Sequence, residues 1–200
     1  MRTEHYFTSE PGSPRERHTL VVTLRGPELR LVSEAGVFSR ARVDRGTRLL
    51  IAALDIGSDD RFLDLGCGYG VVGLVAARLA PEGQVTLLDI NARAVALAAE
   101  NLRANGIGNA VAMKSDGYEA VAGETFGVIA LNPPIRAGLP VVHRLIEQAT
   151  DHLSSGGRFY LVARTRQGAL RLGEKMREAF GNVEEAAKGG GYRVFVSRRR

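Results

Sequence analysis

From Arg61 onward, short apolar runs alternate with longer amphipathic stretches. "RFLDLG" (61–66), "QVTLLDI" (84–90), "AVAMKSD" (110–116), "FGVIALN" (126–132) and "RFYLVA" (158–163) have the length and continuity of buried strands. Residues 71–80, 91–106, 139–153 and 169–180 read as helices between them. Asn91 is the expected N-cap of the second helix and Gly106 its stop. "SSGG" (154–157) is expected to end the third. Strands that alternate with helices give right-handed crossovers and a parallel sheet covered on both faces. The last two strand-like runs, 182–188 and 192–198, are separated by little more than a run of glycines. No crossover helix fits there, so they are expected to pair antiparallel.

Ahead of this array, "TLVVTLRG" (19–26) and "ELRLVS" (28–33) flank Gly26-Pro27 and predict a β-hairpin. Residues 44–54 predict a helix with an apolar stripe at Leu49, Leu50 and Ala53. The expected fold is α/β: a doubly wound, seven-stranded, mostly parallel sheet with an antiparallel C-terminal hairpin. A small N-terminal β-hairpin extension, residues 1–45, would pack on a core domain of residues 46–200. Ligands of such sheets bind beyond the carboxyl ends of the strands, where the strand order switches.

Composition narrows the setting. A chain of 200 residues with 44% hydrophobic and 24% charged residues suits one soluble domain. No apolar run approaches the roughly 20 residues of a membrane helix. The N-terminus is polar and lacks the apolar segment of a secretory signal. Cys67 is the one cysteine, which leaves no intrachain disulfide and points to a reducing, cytoplasmic compartment. His5, His18, His143 and His152 are scattered, so no metal is expected. Net charge is +5, and residues 161–200 hold ten basic and four acidic side chains. Such a surplus makes nucleic acid a reasonable partner.

"LDLGCGYGVVG" (63–73) leaves the first strand of the array and opens its first helix. Gly66, Gly68 and Gly70 permit a tight turn and close backbone approach to a ligand. Gly68, Gly70 and Gly73 also match the G-x-G-x-x-G of dinucleotide sites, with Asp89 about 20 positions on. Asp64 stands against that reading, because a carboxylate there adds negative charge near a pyrophosphate. It would favour a cationic ligand instead. The pattern D-x-G-x-G-x-G resembles the glycine loop of class I methyltransferases, which implies S-adenosyl-L-methionine as cofactor. Asp89 would then take the ribose hydroxyls. Ile90 would pack on the adenine, and Asp116 with Gly117 would meet its amine. Cys67 contributes backbone rather than a nucleophile.

The fourth strand of the array ends in "LNPPIRAG" (131–138). Pro133 and Pro134 have no N–H to donate, and each restricts the residue before it to extended backbone. The Asn132 side-chain oxygen and the Pro133 carbonyl can then offer acceptors to a planar NH2 group. That chemistry is transfer to an amine nitrogen by placement rather than by a strong base. "NPP" followed by an aromatic residue marks methyltransferases acting on amino or amide nitrogens, and this stretch resembles it up to Pro134. With "GVFSRARVDRGTRLLI" (36–51), it makes residues 19–200 resemble the guanine-N2 methyltransferases of small-subunit ribosomal RNA, the RsmC type. The resemblance implies a single-domain member, since the long members carry two such domains. It implies ribosomal RNA or the small ribosomal subunit as partner, in a monomer or homodimer without membrane or metal. It places Phe38, Ser39, Asp44, Gly46 and Thr47 near the cofactor, and Phe38 and Arg40 beside the substrate.

One position departs from the family pattern. Ile135 stands where a ring usually follows NPP, so Phe38 or Tyr69 would have to stack on the base. Arg136, Arg40, Arg42 and the basic C-terminal segment are candidate phosphate contacts. Other amines remain open as substrates: a protein glutamine, DNA adenine or a small molecule. So does a non-catalytic RNA-binding or assembly module with the same fold.

Overall fold

The computed structural model describes residues 17–34 and 42–200. Strands β1 (Arg17–Thr23) and β2 (Glu28–Glu34) form an antiparallel hairpin. Helix α1 (Arg45–Ala53) follows. The array then runs β3 (Arg61–Leu65), α2 (Val71–Leu79), β4 (Gln84–Asp89), α3 (Ala92–Ala104), β5 (Ala110–Lys114) and β6 (Phe126–Leu131). It closes with α4 (Leu139–Gln148), β7 (Leu153–Arg164), α5 (Ala169–Phe180), β8 (Glu184–Gly189) and β9 (Tyr192–Arg198). Seven strands make one sheet in the order β5-β4-β3-β6-β7-β9-β8. The doubly wound fold expected from the alternation is therefore present.

The period of two along each strand builds two cores. Phe62, Val85, Leu87, Val128, Ala130, Tyr160 and Val162 face one apolar cluster, with Leu50 and Ile51 of α1 and the buried faces of α2 and α3. Their neighbours Leu63, Leu88, Ile129, Leu131, Phe159 and Leu161 face the other, under α4 and α5. Central strands buried on both sides must be apolar throughout, which is why they read as unbroken runs.

One detail differs from the expectation. The third helix of the array stops at Gln148, not before Ser154. Leu153 instead pairs with Phe126, whose N–H donates to the His152 carbonyl at 2.9 Å. Pairing with the neighbouring strand outweighs the local helical pattern. At the other end, β9 lies between β7 and β8 and is antiparallel to both. Hence β8 is again parallel to the core, and only β9 runs against the other strands of this sheet. The crossover through α5 leaves a strand's width open, and the glycine turn folds β9 back into it.

The hairpin is fastened by Asn101 of α3 and, four residues on, the helix's C-cap Asn105. Asn101 Oδ1 accepts from the Val32 N–H at 2.7 Å, and its Nδ2 donates to the Val32 carbonyl at 2.9 Å. Asn105 does the same for Arg30, at 3.0 and 2.8 Å. Four residues of helix rise about 6 Å and two of strand about 6.6 Å, so the side-chain amides match alternate peptide groups of β2. Asn101 Nδ2 also donates to the Tyr69 carbonyl at 2.9 Å, which ties the hairpin to the glycine loop.

Candidate active site

The strand order reverses between β3 and β6, and a cleft of about 310 Å³ opens at their carboxyl ends. The glycine loop forms its floor. The Gly66 and Cys67 N–H groups donate to the Leu88 carbonyl at 2.8 and 2.9 Å, so β4 holds the loop by its backbone. Gly66 and Gly68 have φ of 71° and 56°, a region that favours glycine. A Cβ at either would meet no atom within 4 Å. Both line the cleft, so the loop presents bare backbone to whatever occupies it.

Asp64 has the same parity as Phe62 and points toward α2. Its Oδ2 accepts from the Gly73 N–H at 2.8 Å. Burial raises its carboxyl to about 7; the Gly73 bond opposes this and the Asp89 charge adds to it. Asp89 closes β4. Its Oδ2 accepts from the Gly68 N–H and its Oδ1 from the Asn91 N–H, both at 2.9 Å. Burial raises its pKa against the pull of these N–H donors. A carboxylate has about four acceptor sites, so Asp89 keeps capacity for hydroxyl groups. Burial, then the charges of Asp89 and Asp64, push the Cys67 thiol well above its ordinary value. That disfavours a thiolate there at neutral pH.

Asp116 and Gly117 line the far side with Ile90, but Asp116 is exposed and already paired. Arg144 of α4 donates to its Oδ1 at 2.7 Å. The described lining carries Asp44, Asp64, Asp89 and Asp116 against a single cation, Arg144. A pyrophosphate fits such a wall poorly and a cationic ligand fits it well. Bare loop backbone, an anchored Asp89 and an acidic wall together suit S-adenosylmethionine, whose ammonium and sulfonium are both positive.

Asn132, Pro133 and Pro134 form the opposite wall. Asn132 has the parity of Val128 and Ala130, so it faces α1, where its Nδ2 donates to Thr47 Oγ1 at 3.1 Å. Thr47 Oγ1 in turn donates to Asp44 Oδ2 at 2.5 Å. Asp44 also caps α1, its Oδ1 accepting from the N–H groups of Gly46 and Thr47 at 2.8 and 3.1 Å. The Pro133 carbonyl accepts from the Ile135 N–H at 2.9 Å. With Pro134 at φ −74° and ψ 71°, this is an inverse γ-turn, and it leaves one lone pair on that carbonyl. Ile135 is half-buried against the second core beside Leu139 and Val141, off the cleft wall. Tyr69 lines the cleft and is buried, its hydroxyl raised in pKa by burial and then by Asp44.

Phe38, Ser39 and Arg40 lie outside the described residues, as does the Arg136 side chain. The basic C-terminal segment divides. Arg164 pairs with Tyr192 at the cleft end of the sheet, and Arg166 follows it. Arg198 pairs with Arg158 at the opposite end, roughly 20 Å away at about 3.3 Å per strand residue. Arg198, Arg199 and Arg200 are therefore remote from the cleft, because β9 runs backwards. Arg144, Asn101 and the Asn132 partner Thr47 were not visible as contacts in the sequence. Two asparagines four apart on an otherwise apolar and charged helix were the one available signal.

The fold and this site define the class of S-adenosylmethionine-dependent methyltransferases. The chain belongs to the methyltransferase small domain family, whose model matches residues 28–196. It is 37% identical to an uncharacterised Bacillus subtilis protein, YbxB, over 98% of this chain and 99% of that one. It is 39% identical to the ribosomal RNA small subunit methyltransferase C of Pseudomonas entomophila, over 87% of this chain and 52% of that one. A solved Thermus thermophilus structure aligns over 95% of this chain and 52% of its own, with a TM-score of 0.83 and 29% identity. That protein is a 16S rRNA N2-guanine methyltransferase in complex with S-adenosylmethionine and guanosine. The chain thus spans about half the length of these ribosomal RNA methyltransferases and nearly all of the Bacillus protein. Among the described residues, no helix is long and apolar enough to cross a membrane.

Proposed function

We propose that the protein methylates the exocyclic N2 amine of a guanine in small-subunit ribosomal RNA, in the cytoplasm. The observation that carries this reading is the acceptor corner after β6. Asn132 turns its Nδ2 to Thr47, so its Oδ1 is left for a substrate, beside the remaining lone pair of the Pro133 carbonyl. Two acceptors match the two hydrogens of a planar NH2 group. Bound S-adenosylmethionine supplies an electrophilic methyl carbon on sulfur. The chain's own part is to hold and aim. Gly66 and Gly68 give backbone room for the cofactor, and Asp89 offers acceptors for its hydroxyls. Asn132 and Pro133 fix the amine plane. Asparagine is no base, so the proton leaves to water after the nitrogen has become cationic and acidic. Placement of this kind is worth about 7–11 kcal/mol in the best cases.

The guanine assignment leans on the named relatives, and the RNA assignment also on the exposed cations Arg164 and Arg166 at the cleft end of the sheet. A second reading keeps the chemistry and takes a protein amide, whose planar NH2 group the same two acceptors would fit. Labelled-methyl transfer to naked ribosomal RNA, small subunits and total protein, with the modified position mapped, separates the two. We expect label on one guanine N2 of the small-subunit RNA. Label in protein alone would overturn the RNA assignment.

A further inference from the structure

We propose that Thr47, backed by Asp44, is a positioning residue that decides which way the Asn132 amide faces. The proposal deepens the reading above, in which the Asn132 oxygen receives the amine. A side-chain amide turned by 180° keeps its shape, so packing alone does not choose between the two orientations. Hydrogen-bond direction does. An ionised carboxylate only accepts, and Asp44 accepts the Thr47 hydroxyl proton at 2.5 Å. That hydroxyl has no other proton. Its oxygen therefore meets Asn132 with lone pairs only, and the atom 3.1 Å away must be the donor Nδ2. Flipped, Asn132 would set oxygen against oxygen at Thr47 and a donor against the donors of the amine. The direction of every bond in the chain thus follows from one half-buried anchor, the Asp44 carboxylate.

The fold places the parts for this purpose. Asp44 sits at the N-cap of α1, where two backbone N–H groups donate to its Oδ1. Thr47, in the first turn, is only 7% exposed. The helix start is itself wedged, since a Cβ on Gly46 would stand 2.6 Å from the Tyr192 ring. Period two along β6 brings Asn132 to this face. The residues are 85 positions apart, joined only by the tertiary fold.

The test compares Thr47→Val, which keeps the shape and loses the hydroxyl, with Thr47→Ser, which keeps the hydroxyl. The first readout needs no substrate: the Asn132 side-chain NH2 resonances in a nitrogen-labelled protein, assigned by their loss in Asn132→Asp. They should be shifted and protected from exchange in the wild type and Thr47→Ser, and should move and exchange faster in Thr47→Val. Identical Asn132 resonances in all three would overturn the proposal, whatever the protein methylates. The second readout is single-turnover methyl transfer. Thr47→Val should lose about tenfold to a hundredfold in rate, with substrate KM and cofactor affinity within about threefold. Thr47→Ser should recover most of that rate. In an Asn132→Ala background, Thr47→Val should cost nothing further. Additive losses would mean that Thr47 acts on the fold or the cofactor and would also overturn the proposal. If the resonances behave as expected but wild type modifies no RNA, the substrate assignment fails and the positioning role stands.

Discussion

Asp64 carries a prediction that its neighbours make unavoidable. Its carboxyl titrates near 7 in the folded state, against an ordinary 3.8, because it is buried. Between those values the native state holds a proton that the unfolded chain has released. Stability from this group is complete below pH 4 and is lost as pH rises toward 7, on the order of 4 kcal/mol at most. Asp64→Asn keeps an acceptor for the Gly73 N–H without the charge. Its thermal unfolding should therefore be less sensitive to pH between 4.5 and 7.5 than that of the wild type. A cationic ligand in the cleft pulls the carboxyl back down. Cofactor binding near pH 7 should then release a proton, seen by calorimetry in buffers of different ionisation heat, and less so in Asp64→Asn. Equal proton release in both would separate Asp64 from the cofactor's charge. The acid before the glycines was legible in the chain; its bond to Gly73 was not, since it needs the strand-to-helix turn to bring them together.

At the scale of elements, repeating periods were read well and boundaries set by partners were not. Helix α5 was predicted at residues 169–180, where it is found, because its apolar stripe and flanking glycines agree. The helical period carries α4 on to Leu153, yet the place of Leu153 is a strand pairing with Phe126. The clamp of Asn101 and Asn105 on β2 belongs to this scale too. Buried Asn101 satisfies the Val32 N–H, the Val32 carbonyl and the Tyr69 carbonyl at once. Asn101→Ala leaves buried polar groups unpaired, each costing about 1–3 kcal/mol. We expect a loss of about 3 kcal/mol in denaturant unfolding and faster amide exchange at Val32. Wild-type protection at Val32 in that variant would show that hairpin pairing alone holds β2.

At the scale of the molecule, the cleft divides the work. The glycine loop, Asp89 and Asp116 lie over β3, β4 and β5, while Asn132 and Arg164 lie over β6 and β7. Net charge was legible from the sequence, but its placement was not. Strand direction decides that Arg164 stands at the cleft end of the sheet and Arg198 at the far end. The central claim spans both halves: one holds the cofactor, the other aims an amine at it. Asn132→Ala tests this most directly, with cofactor affinity by calorimetry and methyl transfer in a single turnover. The account predicts affinity within about threefold of wild type and a rate at least about a hundredfold lower. Transfer at near the wild-type rate by Asn132→Ala would contradict it.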